Sequence, residues 1–245
     1  MDKFLVTLIV ASKDPPLGQL IRCISSFASL KYAHKMQLLL VESGEKPDLP
    51  SALFLFFADV QRLLVPPDGV YAAYNSGIFS AEGKYLLFFG VDDLALPSMD
   101  RVLEKLETSS EHYSLFAASC YMQSSGISMP STRRVSLLFA NWCHQGIFYC
   151  RQYLLHHPYN VRYKMQADHA LNISIASNRQ LKIGVSGDLV AFFSAGGISS
   201  TLPDLIFRQE LSSIAKTSYG RHWGWFVRVK QIIVDLLLGP PVSRF

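Results

Sequence analysis

Two adjacent acids at the end of an apolar run are the residues of this sequence best suited to bind a metal ion. Residues 83–91 read Gly-Lys-Tyr-Leu-Leu-Phe-Phe-Gly-Val, and Asp92 and Asp93 follow directly. Mg²⁺ and Mn²⁺ prefer oxygen ligands and commonly share them with substrate phosphates. A carboxylate pair held by a rigid strand is therefore a candidate site for a divalent cation that bridges a diphosphate. Taken alone, the pair also fits an ordinary Asp-rich turn.

Three polar side chains in the second half of the chain each admit two interpretations. Asp168 stands at the start of a predicted helix over residues 167–177, where it serves either as a general base or as the helix N-cap. His144 and Gln145 precede a predicted strand over residues 147–149. One interpretation is that they position an acceptor or the leaving phosphates. The other is that His144 is only a hydrogen-bonded histidine at the start of a strand. The residues themselves leave both alternatives open.

The elements that must position these side chains alternate regularly in the first half of the sequence. Continuous β-prone runs are typical of strands buried on both faces, and apolar residues three and four apart are typical of helices. Their alternation predicts a mostly parallel sheet with right-handed crossovers. The predicted strands are residues 4–10, 36–41, 62–65 and 85–89, and the predicted helices are residues 17–30 and 70–81.

The loops that follow the four predicted strands all carry acids. Asp14 follows the first strand, Glu42 the second and Asp68 the third, while Asp92 and Asp93 follow the fourth. In open sheets of this type, ligands bind beyond the carboxyl ends of the strands. The sequence therefore predicts a site for a polar ligand at this edge of the sheet.

The second half of the sequence is less regular. A strand is predicted over residues 113–121, and a loop rich in Ser, Gly and Met over residues 123–134. Two short strands at residues 181–185 and 189–193 precede a turn at residues 196–199.

Composition bounds the class of protein. The 245 residues include 49% apolar and 17% charged ones, which is typical of one globular domain, and the net charge of +4 does not favour nucleic-acid binding. Four cysteines without C-x-x-C spacing indicate free thiols in a reducing compartment. The apolar run at residues 4–11 is too short for a signal peptide, and no run reaches the roughly 18 to 20 residues of a membrane span. We therefore expect a cytoplasmic protein.

Two segments together resemble one known family. The first, residues 71–93, has Asn75 and Gly77 on a helix, Ala-Glu-Gly closing it, and the apolar strand ending in acids. The second begins with Cys-His-Gln-Gly-Ile-Phe-Tyr-Cys-Arg at residues 143–151 and continues to Ala-Asp-His at residues 167–169. Both are similar to inverting family-2 glycosyltransferases of the GT-A fold, in the subgroup of the colanic-acid and O-antigen type that builds bacterial surface polysaccharides. The resemblance spans residues 4–200.

The resemblance implies a fold and an activity. The fold is a single α/β GT-A-like domain over residues 1–200, with a nucleotide-binding half up to about residue 95, an acceptor half over residues 96–200, and a helical extension over residues 201–245. The implied activity is transfer of a hexosyl group, with inversion, from a nucleotide sugar to a glycan or lipid-linked acceptor in polysaccharide biosynthesis. UDP is the implied nucleotide, and Mn²⁺ or Mg²⁺ the implied cofactor.

The resemblance also implies roles for individual residues. Asp92 and Asp93 hold the cation and the ribose-diphosphate region of the donor. Glu42 contacts the nucleotide base, the loop over residues 11–14 flanks the nucleoside, and Asp168 is the catalytic base. With Asp68, which its position after the third predicted strand adds, the complete predicted donor site comprises Ser12, Asp14, Glu42, Asp68, Asn75, Asp92 and Asp93.

The chain departs from the family pattern at three places. Gly90 stands where Asp or Asn is usual, Ala72 stands where this subgroup often has an acid, and residues 42–45 read Glu-Ser-Gly-Glu instead of the commoner Asp-Gly-Gly-Ser. Gly90 and Ala72 leave a degenerate, non-catalytic binding protein as an alternative. A sugar nucleotidylyltransferase is the enzymatic alternative, although residues 11–16 lack the Gly-rich, basic loop it needs. No G-x-G-x-x-G follows the first strand, which argues against a dinucleotide-binding module.

A predicted helix over residues 221–238 carries two tryptophans and two cations. Trp223 and Trp225 near one end, with Arg228 and Lys230 nearby, suit a helix that lies in a membrane interface on the inner face of the membrane. The alternative is a helix packed on the domain. Its predicted apolar face comprises Phe226, Val229, Ile233 and Leu236, and its polar face Arg228, Gln231 and Asp235.

Overall fold

A sheet with helices on both faces organises the chain, as a computed structural model describes it for residues 2–195 and 204–238. The predicted turn at residues 196–199 lies outside the described residues. The strands are β1 (Phe4–Lys13), β2 (Met36–Ser43), β3 (Asp59–Leu64), β4 (Gly83–Phe89), β5 (Leu94–Ala95), β6 (Leu115–Met122), β7 (Gly126–Ser128), β8 (Ile147–Cys150) and β9 (Ile183–Phe193). The helices are α1 (Leu17–Ala28), α2 (Val70–Ser80), α3 (Met99–Thr108), α4 (Arg151–His156), α5 (Ala167–Ser177), α6 (Leu205–Tyr219) and α7 (Arg221–Leu238).

The strand order is β3-β2-β1-β4-β8-β6-β9-β5, with β7 paired to the last three residues of β6. Strands β1 to β4 pair in parallel. Strand β8 is antiparallel to both β4 and β6, so β6 and its parallel partner β9 run in the same direction as the first four strands. The predicted mostly parallel sheet flanked by helices is confirmed.

The central strands are apolar throughout because each of their faces is covered. Along β1, Leu8 packs in the core cluster on the side of α1, whereas the next residue, Ile9, packs in the cluster on the side of α2. Gly77 allows α2 to approach closely, since a Cβ atom at that position would lie 2.7 Å from Cγ2 of Ile9. Helices α1 and α2 thereby hold the sheet whose strands precede the acids.

Several sequence predictions need correction. The strand predicted at residues 62–65 begins earlier, at Asp59, and the loop predicted at residues 123–134 contains β7. The two strands predicted at residues 181–185 and 189–193 form one strand, β9, because its pairing with β6 continues across an irregularity in register near Ser119. The sequence analysis also missed helix α3, which buries four apolar side chains against the sheet.

Helices α6 and α7 pack against each other and extend the core that lies beside α5. Phe207, Ala215 and Val227 belong to the same buried cluster as the sheet residues on that side. Gly224 permits close packing of the two helices, since a Cβ atom there would lie 2.7 Å from Cβ of Lys216. The apolar face of α7 points the other way, and Leu236 on it is 81% exposed. Among the described residues, no helix combines the length and the apolar character needed to cross a bilayer.

Candidate functional site

The carboxyl ends of β1, β2, β3 and β4 meet at one edge of the sheet, as predicted. Ser12 at the end of β1 pairs in register with Glu42 at the end of β2, and Val10 pairs with Phe89 at the end of β4. The acidic turn with Asp92 and Asp93 follows β4 directly. The parallel pairing therefore brings the loops with the predicted donor residues together.

Asp93 is a buried carboxylate surrounded by protein donors. Only 2% of the residue is exposed. Its Oδ2 accepts hydrogen bonds from Nε2 of Gln145 at 2.6 Å and from the backbone N–H of Gly90 at 3.3 Å. Its Oδ1 accepts one from the backbone N–H of Ser194 at 3.1 Å. Burial, together with the negative charge of Asp92, nevertheless raises the pKa of Asp93 to about 7.

Asp92 occupies a different environment from its neighbour. It is half-buried, and none of the three donors to Asp93 reaches its carboxylate. The hydroxyl of Ser194 instead donates to the backbone carbonyl of Asp92 at 2.6 Å. In residues 2–195 and 204–238, no three His, Cys, Asp or Glu side chains are grouped so that they could hold a metal ion.

Gly90 leaves room for the Asp92 side chain. A Cβ atom at position 90 would lie 2.8 Å from Oδ1 of Asp92 and 3.1 Å from Oδ2 of Asp93. Such separations are shorter than normal van der Waals contacts, so a larger residue at position 90 would shift a carboxylate. Gly90, which departs from the family pattern, therefore permits the orientation that the Asp92 side chain adopts.

Asp168 lies in the first turn of α5 but does not cap it. The N-cap residue is Gln166, and no side chain makes the capping hydrogen bond. The Asp168 carboxylate, only 5% exposed as a residue, accepts hydrogen bonds from the Tyr71 hydroxyl and from Nδ2 of Asn141, both at 2.7 Å. Burial and the charge of Asp168 hold the pKa of Tyr71 well above its ordinary value, so Tyr71 remains a donor.

Helix α2 connects the two acidic sites through tyrosines three residues apart. The hydroxyl of Tyr71 donates to Asp168, and that of Tyr74 donates to the carbonyl of Phe89 at the end of β4, at 3.3 Å. Burial raises the pKa of Tyr74, and the negative charges of Asp93, Asp168 and Asp92 raise it further. One buried hydroxyl is thus within electrostatic range of all three carboxylates.

His144 and Gln145, predicted as a pair, have different surroundings. Gln145 is buried and donates to Asp93, while its Oε1 accepts from the thiol of Cys143 at 3.0 Å. Burial lowers the pKa of His144. Its Nε2 is buried and has no hydrogen-bond partner within the part of the chain that the structure describes. Gln145 therefore orients the acidic turn.

Two of the predicted nucleoside-contacting residues, Glu42 and Asp14, are already bonded to other groups of the protein. Glu42 forms a two-fold ion pair with Arg62 on β3, with N–O distances of 2.8 and 2.7 Å. Oδ1 of Asp14 accepts from the backbone N–H of Glu45 at 3.2 Å, which joins the loops after β1 and β2. Asp14 itself has a positive φ of 44°.

Asn75 and Asp68 lie on either side of the start of α2. The Asn75 amide donates to the carbonyl of Tyr159 and accepts from its N–H, both at 2.9 Å. Asn75 thereby attaches the segment before α5 to helix α2. Asp68 is exposed in the turn before α2.

Sequence analysis missed five residues that arrange the acids. Tyr71 and Tyr74 had a detectable signal, because their spacing places them on one helix face with Asn75. The remaining partners are supplied by distant parts of the chain and have no local signal. They are Arg62, Asn141 and Ser194.

Comparison with curated proteins finds clear relatives. No protein-family model matches the sequence. The chain is 32% identical over 199 residues to PGL/p-HBAD biosynthesis glycosyltransferases of Mycobacterium bovis and Mycobacterium tuberculosis, and the match covers 77% of this chain and 77% of each relative.

Solved structures share the fold at low sequence identity. The structure superposes on S. aureus TarS with a TM-score of 0.70 at 11% identity, covering 96% of this chain and 44% of TarS, less than half of that longer protein. The 1–349 segment of TarS in complex with UDP-GlcNAc gives a TM-score of 0.67. The mannosyltransferase PcManGT from Pyrobaculum calidifontis, in complex with GDP-Man and Mn²⁺, gives 0.60 at 13% identity and 96% coverage of this chain.

Substitution of Asp93 tests its burial through the pH dependence of stability. In the wild type, the folded-state pKa of about 7 lies above the unfolded value of 3.8. Between these values the folded chain keeps a proton that the unfolded chain has lost, so this contribution to the free energy of unfolding falls as pH rises. Asp93→Asn lacks the titration. Its stability relative to the wild type should therefore increase between pH 5 and 8, by on the order of a few kcal/mol.

Denaturant melts at pH 5, 6, 7 and 8 in EDTA measure this difference. Asp48→Asn, which removes an exposed acid, is the control and should follow the wild type at every pH. If the difference in the free energy of unfolding between Asp93→Asn and the wild type stays constant with pH, the raised pKa of Asp93 is contradicted.

Proposed function

Because the chain belongs to the glycosyltransferase family of the PGL/p-HBAD biosynthesis enzymes, we propose that it transfers a hexosyl group, with inversion, from a nucleoside-diphosphate sugar to a glycan or lipid-linked acceptor. The observation that carries this proposal is the joint positioning of two acidic sites by helix α2. Sugar transfer needs charge neutralisation at the leaving diphosphate and a base for the acceptor hydroxyl. The acidic turn after β4 serves the first need and Asp168 the second.

Asp92 is the residue that we assign to a divalent cation. Its carboxylate is half-buried at the carboxyl edge of the sheet and beside a second acid, and carboxylate oxygens suit Mg²⁺ and Mn²⁺. A bound cation would neutralise charge on the departing diphosphate. Asp93, whose two oxygens already accept three hydrogen bonds, holds the turn in place.

The loops beside Asp92 form the proposed nucleotide site. We assign Ser12 and Asp14 to the nucleoside, with Asp68 and Asn75 at the same edge. Glu42 contributes through its ion pair with Arg62, which fixes the end of β2. UDP is the proposed nucleotide, since TarS, which has the same fold, binds UDP and UDP-GlcNAc. PcManGT binds GDP-Man with Mn²⁺, which supports the proposed cation.

Asp168 is the proposed catalytic base. The acceptor hydroxyl attacks the anomeric carbon as the bond from that carbon to the diphosphate oxygen breaks, and the hydroxyl proton passes to the carboxylate. A single displacement of this kind inverts the anomeric configuration. Tyr71 and Asn141 each donate to one oxygen of Asp168, so they orient the carboxylate and leave other lone pairs for the proton.

The acceptor is assigned to the second half of the chain, residues 96–200, with residues 1–95 forming the donor half and residues 201–245 a helical extension. The relatives take part in PGL/p-HBAD biosynthesis by their names, which supports a role in building a surface glycan or glycolipid. The precise subgroup proposed is the colanic-acid and O-antigen type.

Helix α7 is proposed to bind the inner face of the membrane. Trp225 is 68% exposed and lies on the same outer face as Leu236, which is 81% exposed. Arg221 and Arg228 are exposed along one side of this face, and Lys230 is exposed along the other. Apolar burial and attraction of cations to anionic lipid are the two contributions that hold such helices in an interface.

The cation assignment predicts loss of nucleotide affinity in Asp92→Asn. The amide carries no charge for the cation, so UDP affinity in Mn²⁺ should fall at least about tenfold, or about 1.4 kcal/mol. Isothermal titration with UDP, in Mn²⁺ and in EDTA, measures it, with Asp48→Asn as the matched control. Equal UDP affinity of the wild type in Mn²⁺ and in EDTA would refute the assignment.

The base assignment predicts that Asp168→Asn loses turnover by about 10²- to 10⁴-fold. UDP affinity should change little, because Asp168 contacts the acceptor and not the nucleotide in this proposal. Steady-state release of UDP from a panel of UDP-sugars gives the rate, and the anomeric coupling constant of the product by NMR gives the stereochemistry. Near-normal turnover in the variant, or retained configuration in the product, would exclude this role.

The membrane assignment predicts that Trp225→Ser/Leu236→Ser no longer floats with anionic vesicles at low salt, whereas the wild type does. Both side chains are exposed, so the fold should be unaffected. Binding of the wild type should weaken as salt rises. The control Leu55→Ser/Leu64→Ser removes two exposed apolar side chains elsewhere and should float normally. Failure of the wild type to bind would assign α7 a purely structural role.

A further inference from the structure

A cavity of about 440 Å³ lies between α5, α6, α7 and residues 138–141. It is separate from the nucleotide edge of the sheet but adjoins the neighbourhood of Asp168. Polar side chains line one part of its wall, and apolar side chains line the rest. The polar group comprises Asn141, Gln166, His169, Asp204, Arg208, Lys230 and Gln231.

Gln231 lines this cavity and carries an unsatisfied buried acceptor. The residue is only 8% exposed, and its Nε2 donates to the carbonyl of Arg208 at 2.7 Å. Its Oε1 is buried without a hydrogen-bond partner in the described part of the chain. Unpaired buried acceptors are rare because they forgo hydration without compensation. A ligand hydroxyl would satisfy this atom.

Asn141 links the cavity to the proposed base. It lines the cavity, and its Nδ2 donates to Asp168 at 2.7 Å. Its Oδ1 is held by Nδ2 of Asn172 at 3.0 Å, so the orientation of the amide is fixed. The polar end of the cavity therefore lies one side chain away from the carboxylate.

A second, apolar cavity of about 420 Å³ continues the first one along α7. The two share Phe139, Lys230 and Val234 in their walls. Nζ of Lys230 lies 4.9 Å from the centre of the Phe139 ring. The apolar cavity reaches Phe226 and Ile233, which are about half exposed at 51% and 50%, so it opens beside the outer face of α7.

We propose that these two cavities form one groove that binds an amphiphilic acceptor. A hydroxylated head lies at Gln231 and Asn141, and an apolar tail lies along Phe139, Val229 and Ile233. The change from polar to apolar walls matches such a molecule, and the open end adjoins the proposed membrane face. This inference rests on the proposed function, because it directs the head toward Asp168 as the base.

Photolabelling tests the groove directly. The probe is octyl β-glucoside with a diazirine at the end of the alkyl chain, used below its micelle concentration, and cross-links are located by mass spectrometry. Labelling is expected at Phe139 and within residues 226–234, and unmodified octyl β-glucoside should compete at least about tenfold better than methyl β-glucoside, a difference of about 1.4 kcal/mol in binding.

Two matched variants locate the tail. Val229→Trp fills the apolar cavity and should reduce labelling at least about tenfold, again about 1.4 kcal/mol. Ile232→Trp makes a comparable change on the outer face, outside the groove walls, and should label as the wild type does. Cross-links spread over other surfaces, or equal labelling of the two variants, would overturn the proposal.

The labelling needs no donor, cation or base, so its failure is distinguishable from failure of the proposed function. Absent labelling, while Asp168→Asn still abolishes sugar transfer, would overturn the groove alone. Labelling in the groove, while Asp168→Asn transfers sugar normally, would overturn the direction of the head toward Asp168.

Discussion

The buried carboxylate of Asp93 joins the two halves of the sheet where the acidic turn leaves β4. Its donors come from Gly90 just after β4, from Gln145 just before β8, and from Ser194 just after β9. A buried carboxylate is costly unless donors surround it. The position of the turn that carries Asp92 therefore depends on residues next to β8 and β9 as well as on β4.

Helix α2 provides the second connection between the halves. Tyr71, Tyr74 and Asn75 share one face, and they bond Asp168, the end of β4 and the Tyr159 backbone respectively. Gly77 on the same helix allows its close approach to β1. A shift of α2 along its axis would thus move both acidic sites together. This shared support explains how two carboxylates distant in sequence keep a fixed relation without touching each other.

The sequence predicted the first half of the fold well because buried parallel strands have a strong local signal, which β1, β2 and β4 show as continuous apolar runs. The contacts that assemble the site are not local. Glu42 meets Arg62 only because of the register between β2 and β3, and Asn141 reaches Asp168 across 27 residues. The single strand β9 was predicted as two, because Ser186, Gly187 and Asp188 interrupt its apolar pattern, whereas its pairing with β6 resumes at Leu189.

Polar contacts hold the inner side of helix α7 to the domain. Its inner side relies heavily on polar contacts: Gln231 donates to the backbone of α6, Asp235 pairs with Arg208, and the hydroxyl of Ser212 donates to the carbonyl of Gly224. Most of its large apolar residues lie outside this contact. Amphipathic helices normally bury their apolar side in the core. In α7 the polar side instead faces the domain, and large apolar side chains such as Trp225 and Leu236 are exposed on the other side.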